Sequence, residues 1–257
     1  MSQIPPFDKD DYKAFNCSRS AFLDRFLAGW KKEFAMETAV DVGCGFGFFS
    51  SYLAEQGFRV TAIDGREENV NEAQRRHPEV AFRQLDAEDP VLASLGTYDF
   101  VLCFGLLYHL ENPFRTIRSL RALTRRLLLL EGMCIPDRKP VMELLDEGPT
   151  EDQGLNHVAF YPSEACLIKM LYRAGFARVY TFREPPEHEF YRSSFKHKRY
   201  RTILLASRSP MQHPELQLAS EPGEPDYPWH SSFSRARWKI RLGLSKVRRA
   251  LIPVKHH

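Results

Sequence analysis

The sequence predicts an α/β fold in which a parallel sheet carries helices on both faces. Three observations predict it. From about residue 39, short apolar runs of strand length alternate with helical stretches. A glycine turn, "GCGFG" at residues 43–47, joins the first run to the first of those helices. Aspartates close three successive strands, Asp41, Asp64 and Asp86, at the edge where open α/β sheets bind their ligands.

The elements follow in order. "RSAFLDRFLAGWKKEF" ahead of the sheet reads as one amphipathic helix. "AVDVG" is a buried strand, and "FFSSYLAEQG" a helix closed by Gly57. "RVTAID" is the second strand, "ENVNEAQRRH" a helix and "VAFRQLD" the third strand. "YDFVLCFG" is the fourth, ending at Gly105. "NPFRTIRSLRALT" is helical, with Asn112 as expected N-cap and Pro113 at the first helical position. "RRLLLLEGM" is the fifth strand. Residues 134–161 are mixed and turn-rich, with no clear period. A helix returns in "PSEACLIKMLYRAGF", capped by Ser163 and Gly175, and "ARVYTFR" and "YRTILLASR" read as the last two strands. Residues 209–228 hold five prolines and read as a linker. The expected organisation is an N-terminal helical segment (1–34), a main domain (35–208), that linker (209–228) and a basic tail (229–257).

Composition narrows the class. Apolar residues are 43% of the 257, with 19 Phe, ample for one core. No apolar stretch reaches the length of a membrane span. The N-terminus "MSQIPPFDKDDYK" is too acidic and polar for a signal peptide. Five scattered cysteines form no CxxC pair, so neither a disulfide framework nor a zinc site is expected, and no metal is. A cytoplasmic location fits. From Tyr227 onward there are eight basic and no acidic residues, leaving 28 basic against 33 acidic in the chain before it.

The glycine turn lets a ligand approach the backbone closely. Phe48 stands where a dinucleotide fingerprint would place its third glycine, and no GK[ST] follows. A carboxylate at Asp41 repels phosphate and attracts an ammonium group. The expected ligand is therefore cationic rather than a polyphosphate. Asp64 lies 23 residues past Asp41, a spacing suited to ribose hydroxyls.

"DVGCGFG", "AIDGREENV", "LDAED" and "YDFVLCFGLLYHLENP" resemble the successive motifs of the class I S-adenosylmethionine-dependent methyltransferases. The likeness covers about residues 35–208. It implies a Rossmann-like seven-stranded sheet, mostly parallel with an antiparallel last strand, and S-adenosyl-L-methionine as cofactor. On this resemblance Asp41, Gly43 and Gly45 would face the methionine part, and Asp64, Gly65 and Arg66 the ribose. Asp86 and Ala87 would flank the adenine, with Phe104 and Gly105 beneath the methyl donor.

Methyl transfer asks the protein to align the acceptor and, for a hydroxyl, to remove a proton. Tyr108 and His109, just past the fourth strand, are the catalytic candidates, His109 as base. The competing reading is that His109 caps the next helix and Tyr108 packs. His157 and Tyr161 are the substrate-binding candidates, in a segment expected to cover the cleft. The acids of that segment (Glu143, Asp146, Glu147, Glu151 and Asp152) show no ligand spacing and read as a solvated loop.

"FGLLYHLENP" and "NHVAFYPSEACLIKMLYRAGF" are similar to stretches of the tRNA wobble-uridine carboxymethyltransferase family, in which a tyrosine at the "LYH" position lies near the transferred group. That family has a substantial N-terminal extension; here about 35 residues precede the first strand, so methyl rather than carboxymethyl transfer is expected. In the tail, Ile240, Leu244, Val247 and Leu251 follow helical spacing beside Arg237, Arg241, Lys246, Arg248 and Arg249. Such a helix suits an anionic membrane surface, RNA, a partner or its own domain. The leading expectation is methylation of an oxygen or nitrogen of a small-molecule or glycan-like acceptor. A tRNA-modifying methyltransferase and a non-catalytic, membrane-associated scaffold are the alternatives.

Overall fold

Thr38–Val42 (β1) sits mid-sheet, buried from Ala39 on. Both of its neighbours run parallel to it: Arg59–Asp64 (β2) on one side and Tyr98–Phe104 (β4) on the other. A strand covered on both faces is predominantly apolar, which is why "AVDV" reads as a run broken only by Asp41 rather than as an alternation. The structure is a computed structural model and describes residues 4–148, 150, 152–192 and 199–223. The tail expected at 229–257, with its membrane or RNA role, lies outside the described residues.

Ala81–Gln84 (β3) extends the sheet beyond β2, and Thr124–Cys134 (β5) extends it beyond β4. Two more strands, Arg178–Phe182 (β8) and Tyr200–Ser207 (β9), complete the expected seven; β9 runs antiparallel between β5 and β8. The sheet has an eighth strand. Leu216–Leu218 (β10) pairs antiparallel with β8, so the order is β10-β8-β9-β5-β4-β1-β2-β3. This corrects the linker expectation: Leu216 is buried, and the backbone from Leu216 to Ala219 is bonded to the β8 edge. Prolines on either side do not bar an edge strand, where half the amides face away from the ladder.

The sheet separates two cores. Val101 and Cys103 of β4 and Leu128 and Leu130 of β5 face Pro113–Leu123 (α5) and Glu164–Arg173 (α6). The alternate residues Phe100, Leu102, Leu127 and Leu129 face Asp10–Asp24 (α1), Leu27–Glu33 (α2) and Phe48–Glu55 (α3). Glu67–Arg76 (α4) follows β2, with Ala73 buried.

The N-terminal helix is two helices, broken at Arg25–Phe26, and it begins at Asp10 rather than at Arg19. Phe26 has φ −140°, outside the helical range. Phe22, Phe26 and Trp30 all pack on Phe182 of β8. These helices belong to the same compact unit as the sheet, Met1–Pro222.

Ser163 caps α6 as expected, its hydroxyl accepting from the Cys166 amide. Asn112 makes no side-chain cap on α5; its amide and side chain donate to the Glu88 carboxylate instead. The turn-rich segment contains a two-stranded antiparallel hairpin, Met142–Asp146 (β6) with Val158–Pro162 (β7). It forms a small sheet of its own.

Candidate active site

Gly43, Gly45 and Gly47 all adopt positive φ, +83°, +53° and +86°. Side chains there would also collide. A Cβ on Gly43 would come within 2.8 Å of Leu106, and one on Gly45 within 3.1 Å of the Phe7 ring. The bend after β1 therefore needs glycine for its backbone angles and for close approach alike.

The bend opens on a cleft with a cavity volume of about 230 Å3. Its lining brings together Gly43, Gly45, Asp64, Gly65, Arg66, Asp86, Ala87, Phe104, Gly105, Tyr108, His109 and Tyr161. Twelve of the fourteen residues expected from sequence thus share one cavity. Asp64 is held in place by the protein itself. Its Oδ2 accepts from the Gly45 amide at 2.9 Å, and its Oδ1 from the Arg66 amide at 3.0 Å and Asn69 Nδ2 at 3.1 Å. Asp86 accepts from the Glu88 amide.

Asp41 is the first exception. It is 2% exposed, its Oδ2 accepts from Ser50 Oγ at 2.7 Å, and it borders a second chamber instead. Burial pushes its carboxyl up to about 7, against the Ser50 hydrogen bond. The full negative charge expected there is muted near neutral pH. The second chamber shares Phe7, Tyr12, Gly43, Gly45 and Phe104 with the first, and adds Lys13, Asn16 and Arg19.

His157 is the second exception. It lies exposed at the hairpin's turn with φ +56°, its Nδ1 3.4 Å from the Gly148 carbonyl, outside the cleft lining. The segment around it does cover the cleft: Asp152, Gln153, Gly154 and Leu155 line it. Arg66 Nη2 donates to the carbonyls of Gln153 and Gly154, both at 3.2 Å.

Tyr108 is 5% exposed and meets Tyr161 edge-on, ring centroids 5.3 Å apart. Its hydroxyl accepts from Arg201 Nη2 at 2.7 Å. Burial pushes the Tyr108 hydroxyl pKa up, against the pull of Arg201, so the phenol stays neutral and keeps a proton to donate. His109 is also largely buried, and its Nδ1 lies 2.7 Å from Glu147 Oε1. It does not cap α5.

Three site groups escaped the sequence reading. Glu147 is not solvated; its side chain is 4% exposed. Glu131 on β5 is fully buried. It accepts from Arg19 Nη1 at 3.2 Å, Arg201 Nη1 at 3.0 Å and the Tyr191 hydroxyl at 3.2 Å. Arg201, at the start of β9, lines the cleft. Two guanidiniums thus share one carboxylate, and Nε of each is buried without a partner. The signal for Glu131 was present, a lone acid inside the apolar run "LLLLEGM". Arg201 gave none, because a basic residue at a strand start is ordinary.

The donor set fits an adenosyl cofactor. The glycine bend leaves room for close approach, the Asp64 carboxylate faces the cleft, and Asn69 Oδ1 is buried there without a partner. Among the described residues no group of three or more His, Cys, Asp or Glu is arranged to hold a metal ion.

Residues 40–127 match the family described as "Methyltransferase domain". The ubiquinone biosynthesis O-methyltransferase of Caulobacter vibrioides is 32% identical over 116 residues, 41% of this chain and 46% of that protein. The protein of the same name from Rickettsia canadensis is 39% identical over 83 residues, 32% of this chain and 35% of its own. The chain spans less than half the length of these curated relatives. Among solved structures, magnesium protoporphyrin IX methyltransferase from Synechocystis PCC 6803, with bound SAM, superposes with a TM-score of 0.53 at 26% identity. The match covers 81% of this chain and 86% of that one. The N-terminal domain of EvdMO1, with SAH bound, gives 0.61 at 23% identity over 72% and 79%. The fold is the class I methyltransferase fold.

Proposed function

We propose that this chain, with a methyltransferase domain at residues 40–127 on the class I methyltransferase fold, moves a methyl group from S-adenosylmethionine to an oxygen of a small-molecule acceptor. One observation carries the reading. The glycine bend, the Asp64 carboxylate and the Tyr108–His109–Arg201 cluster all line a single cleft.

In this reading Asp64 holds the ribose hydroxyls, with Asp86 and Ala87 beside the adenine. Phe104 and Gly105 lie under the donor. Gly43 and Gly45 back the methionine part, and Asp41 and Arg19 border the chamber that takes its amino and carboxylate ends. Bound S-adenosylmethionine supplies an electrophilic methyl group on a sulfonium. The protein's task is then alignment and proton removal. His109 takes the acceptor's proton. Tyr161 and Met133 wall the acceptor side.

Oxygen is favoured over nitrogen by the charge at the cleft. An alkylated amine becomes cationic, which the Arg201 guanidinium beside Tyr108 in the cleft lining opposes. An oxygen losing its proton becomes anionic, which Arg201 and the Tyr108 hydroxyl stabilise. The ubiquinone biosynthesis relatives are named O-methyltransferases, in keeping with that preference. A glycan-like hydroxyl and a phenol both meet this requirement.

The test is a screen with methyl-labelled S-adenosylmethionine over phenols, hydroxylated sugars and amines of matched size. Label is expected in oxygen acceptors. Transfer confined to amines would reject the oxygen assignment. No transfer, together with no binding of S-adenosylhomocysteine, would reject methyl transfer altogether.

A further inference from the structure

Glu147, which follows β6, is a carboxylate that the proposed chemistry leaves without a task. Its neighbours on the hairpin, Glu143 and Asp146, are exposed, while its own side chain is 4% exposed. A buried carboxylate costs several kcal/mol unless it is satisfied. Here both oxygens are: His109 Nδ1 stands 2.7 Å from Oε1 and 2.8 Å from Oε2, and the Gly154 amide donates to Oε2 at 2.9 Å. Gly154 presses on the same histidine. A Cβ at that position would lie 2.5 Å from the His109 carbonyl oxygen, so no other residue lets the loop sit so close. The loop's second attachment is Arg66, through the carbonyls of Gln153 and Gly154. Among the described residues, side-chain hydrogen bonds thus fasten the roof of the cleft to a catalytic candidate and to a cofactor-binding candidate.

We infer that Glu147 is a positioning residue for His109, and that seating the roof is what sets the imidazole for proton transfer. The inference rests on the reading of His109 as the proton acceptor in methyl transfer. A neutral imidazole carries one N–H, and the partner of one ring nitrogen decides where it resides. A carboxylate at Nδ1 holds the proton there and leaves the Nε2 lone pair for the acceptor's hydroxyl. The O–H bond breaks to Nε2, and the freed oxygen pair forms the bond to methyl as the carbon–sulfur pair returns to sulfur. With the roof raised, Glu147 departs, and His109 faces water with neither tautomer nor ring orientation fixed. Closure and base competence become one event, and the same closure keeps water from the reacting methyl.

The experiment uses the full chain labelled with 15N-histidine at pH 8, saturated with S-adenosylhomocysteine, and long-range 1H–15N spectra that report each ring's tautomer. His109→Gln assigns the signals by their loss. The expected wild-type His109 is protonated on Nδ1. In Glu147→Leu the proton moves to Nε2 in all or most molecules. In Arg66→Ala, which frees the roof without touching either group, a fraction moves. A merely structural Glu147 would lower the melting temperature and leave the tautomer alone. Wild-type His109 protonated on Nε2, or on both nitrogens, overturns the inference even if Glu147→Leu does not fold. An unchanged spectrum in Arg66→Ala overturns its link to closure. Calorimetry with S-adenosylhomocysteine on the same samples separates the two readings. Absent binding with the Nδ1 signature intact strikes methyl transfer and spares the Glu147–His109 pair.

Discussion

Asp41 shows how burial rewrites a residue whose strand can be read from sequence. Its strand-end position was legible; its protonation was not, because that depends on the side chains packed around it. The folded carboxyl, raised from 3.8 to about 7, holds its proton in a window where the unfolded chain has released it. The stability that Asp41 contributes therefore declines as pH rises from about 4 through about 7. At about 1.4 kcal/mol per pH unit, the decline is on the order of 3–4 kcal/mol. Asp41→Asn keeps an acceptor for Ser50 and removes the titration. Denaturant unfolding at pH 4 and pH 8 should show the variant gaining on the wild type by that amount at the higher pH. Equal pH dependence would mean Asp41 is solvated. Arg201 makes the complementary case. Loss of a charge-assisted hydrogen bond at the reacting oxygen costs about 1.5–3 kcal/mol, so Arg201→Met should lower kcat/KM for the oxygen acceptor ten- to hundredfold. Its affinity for S-adenosylhomocysteine should be unchanged; a matching loss there would assign Arg201 to the cofactor. The residues missed by sequence reading, Glu131, Glu147 and Arg201, meet their side-chain partners across separations of 38 to 112 positions. No local pattern announces such pairs.

At the scale of elements, apolar periodicity carried far. β1 to β5 and α3 to α6 form where alternating strand and helix signals lie, because each must bury one face or both. Two elements were illegible for physical reasons. β6 is exposed along most of its length, so its apolar residues Met142 and Leu144 mark no buried face. β10 has three residues, and only its edge pairing with β8 makes it a strand. The break between α1 and α2 was hidden by an unbroken amphipathic pattern, since the helices on both sides of the break pack on the same core. That packing is testable. Trp30 is 1% exposed and sits 4.1 Å, centroid to centroid, from Phe26. Trp30→Ala should cost about 3–5 kcal/mol in thermal or denaturant unfolding. Its indole N–H is buried without a partner, so Trp30→Phe trades lost volume against a relieved orphan and should cost less than half as much. Equal costs would mean the ring's nitrogen is satisfied.

At the scale of the molecule, the sheet order puts β1, β2 and β4 side by side, and their carboxyl ends supply the bend, Asp64 and the Phe104–His109 turn to one cleft. The N-terminal segment closes one side through Phe7 and Tyr12, and the hairpin roofs the other. A ligand enclosed in this way stabilises the folded state by mass action, so S-adenosylhomocysteine should raise the melting temperature in a concentration-dependent manner. The account stands most directly on calorimetric titration of that compound into the wild type and Asp64→Ala. The wild type should bind with one-to-one stoichiometry, and the variant should lose at least about 1 kcal/mol, a fivefold weakening, through lost charge-assisted hydrogen bonds. No heat of binding at millimolar ligand, or equal affinity in the two proteins, would contradict it.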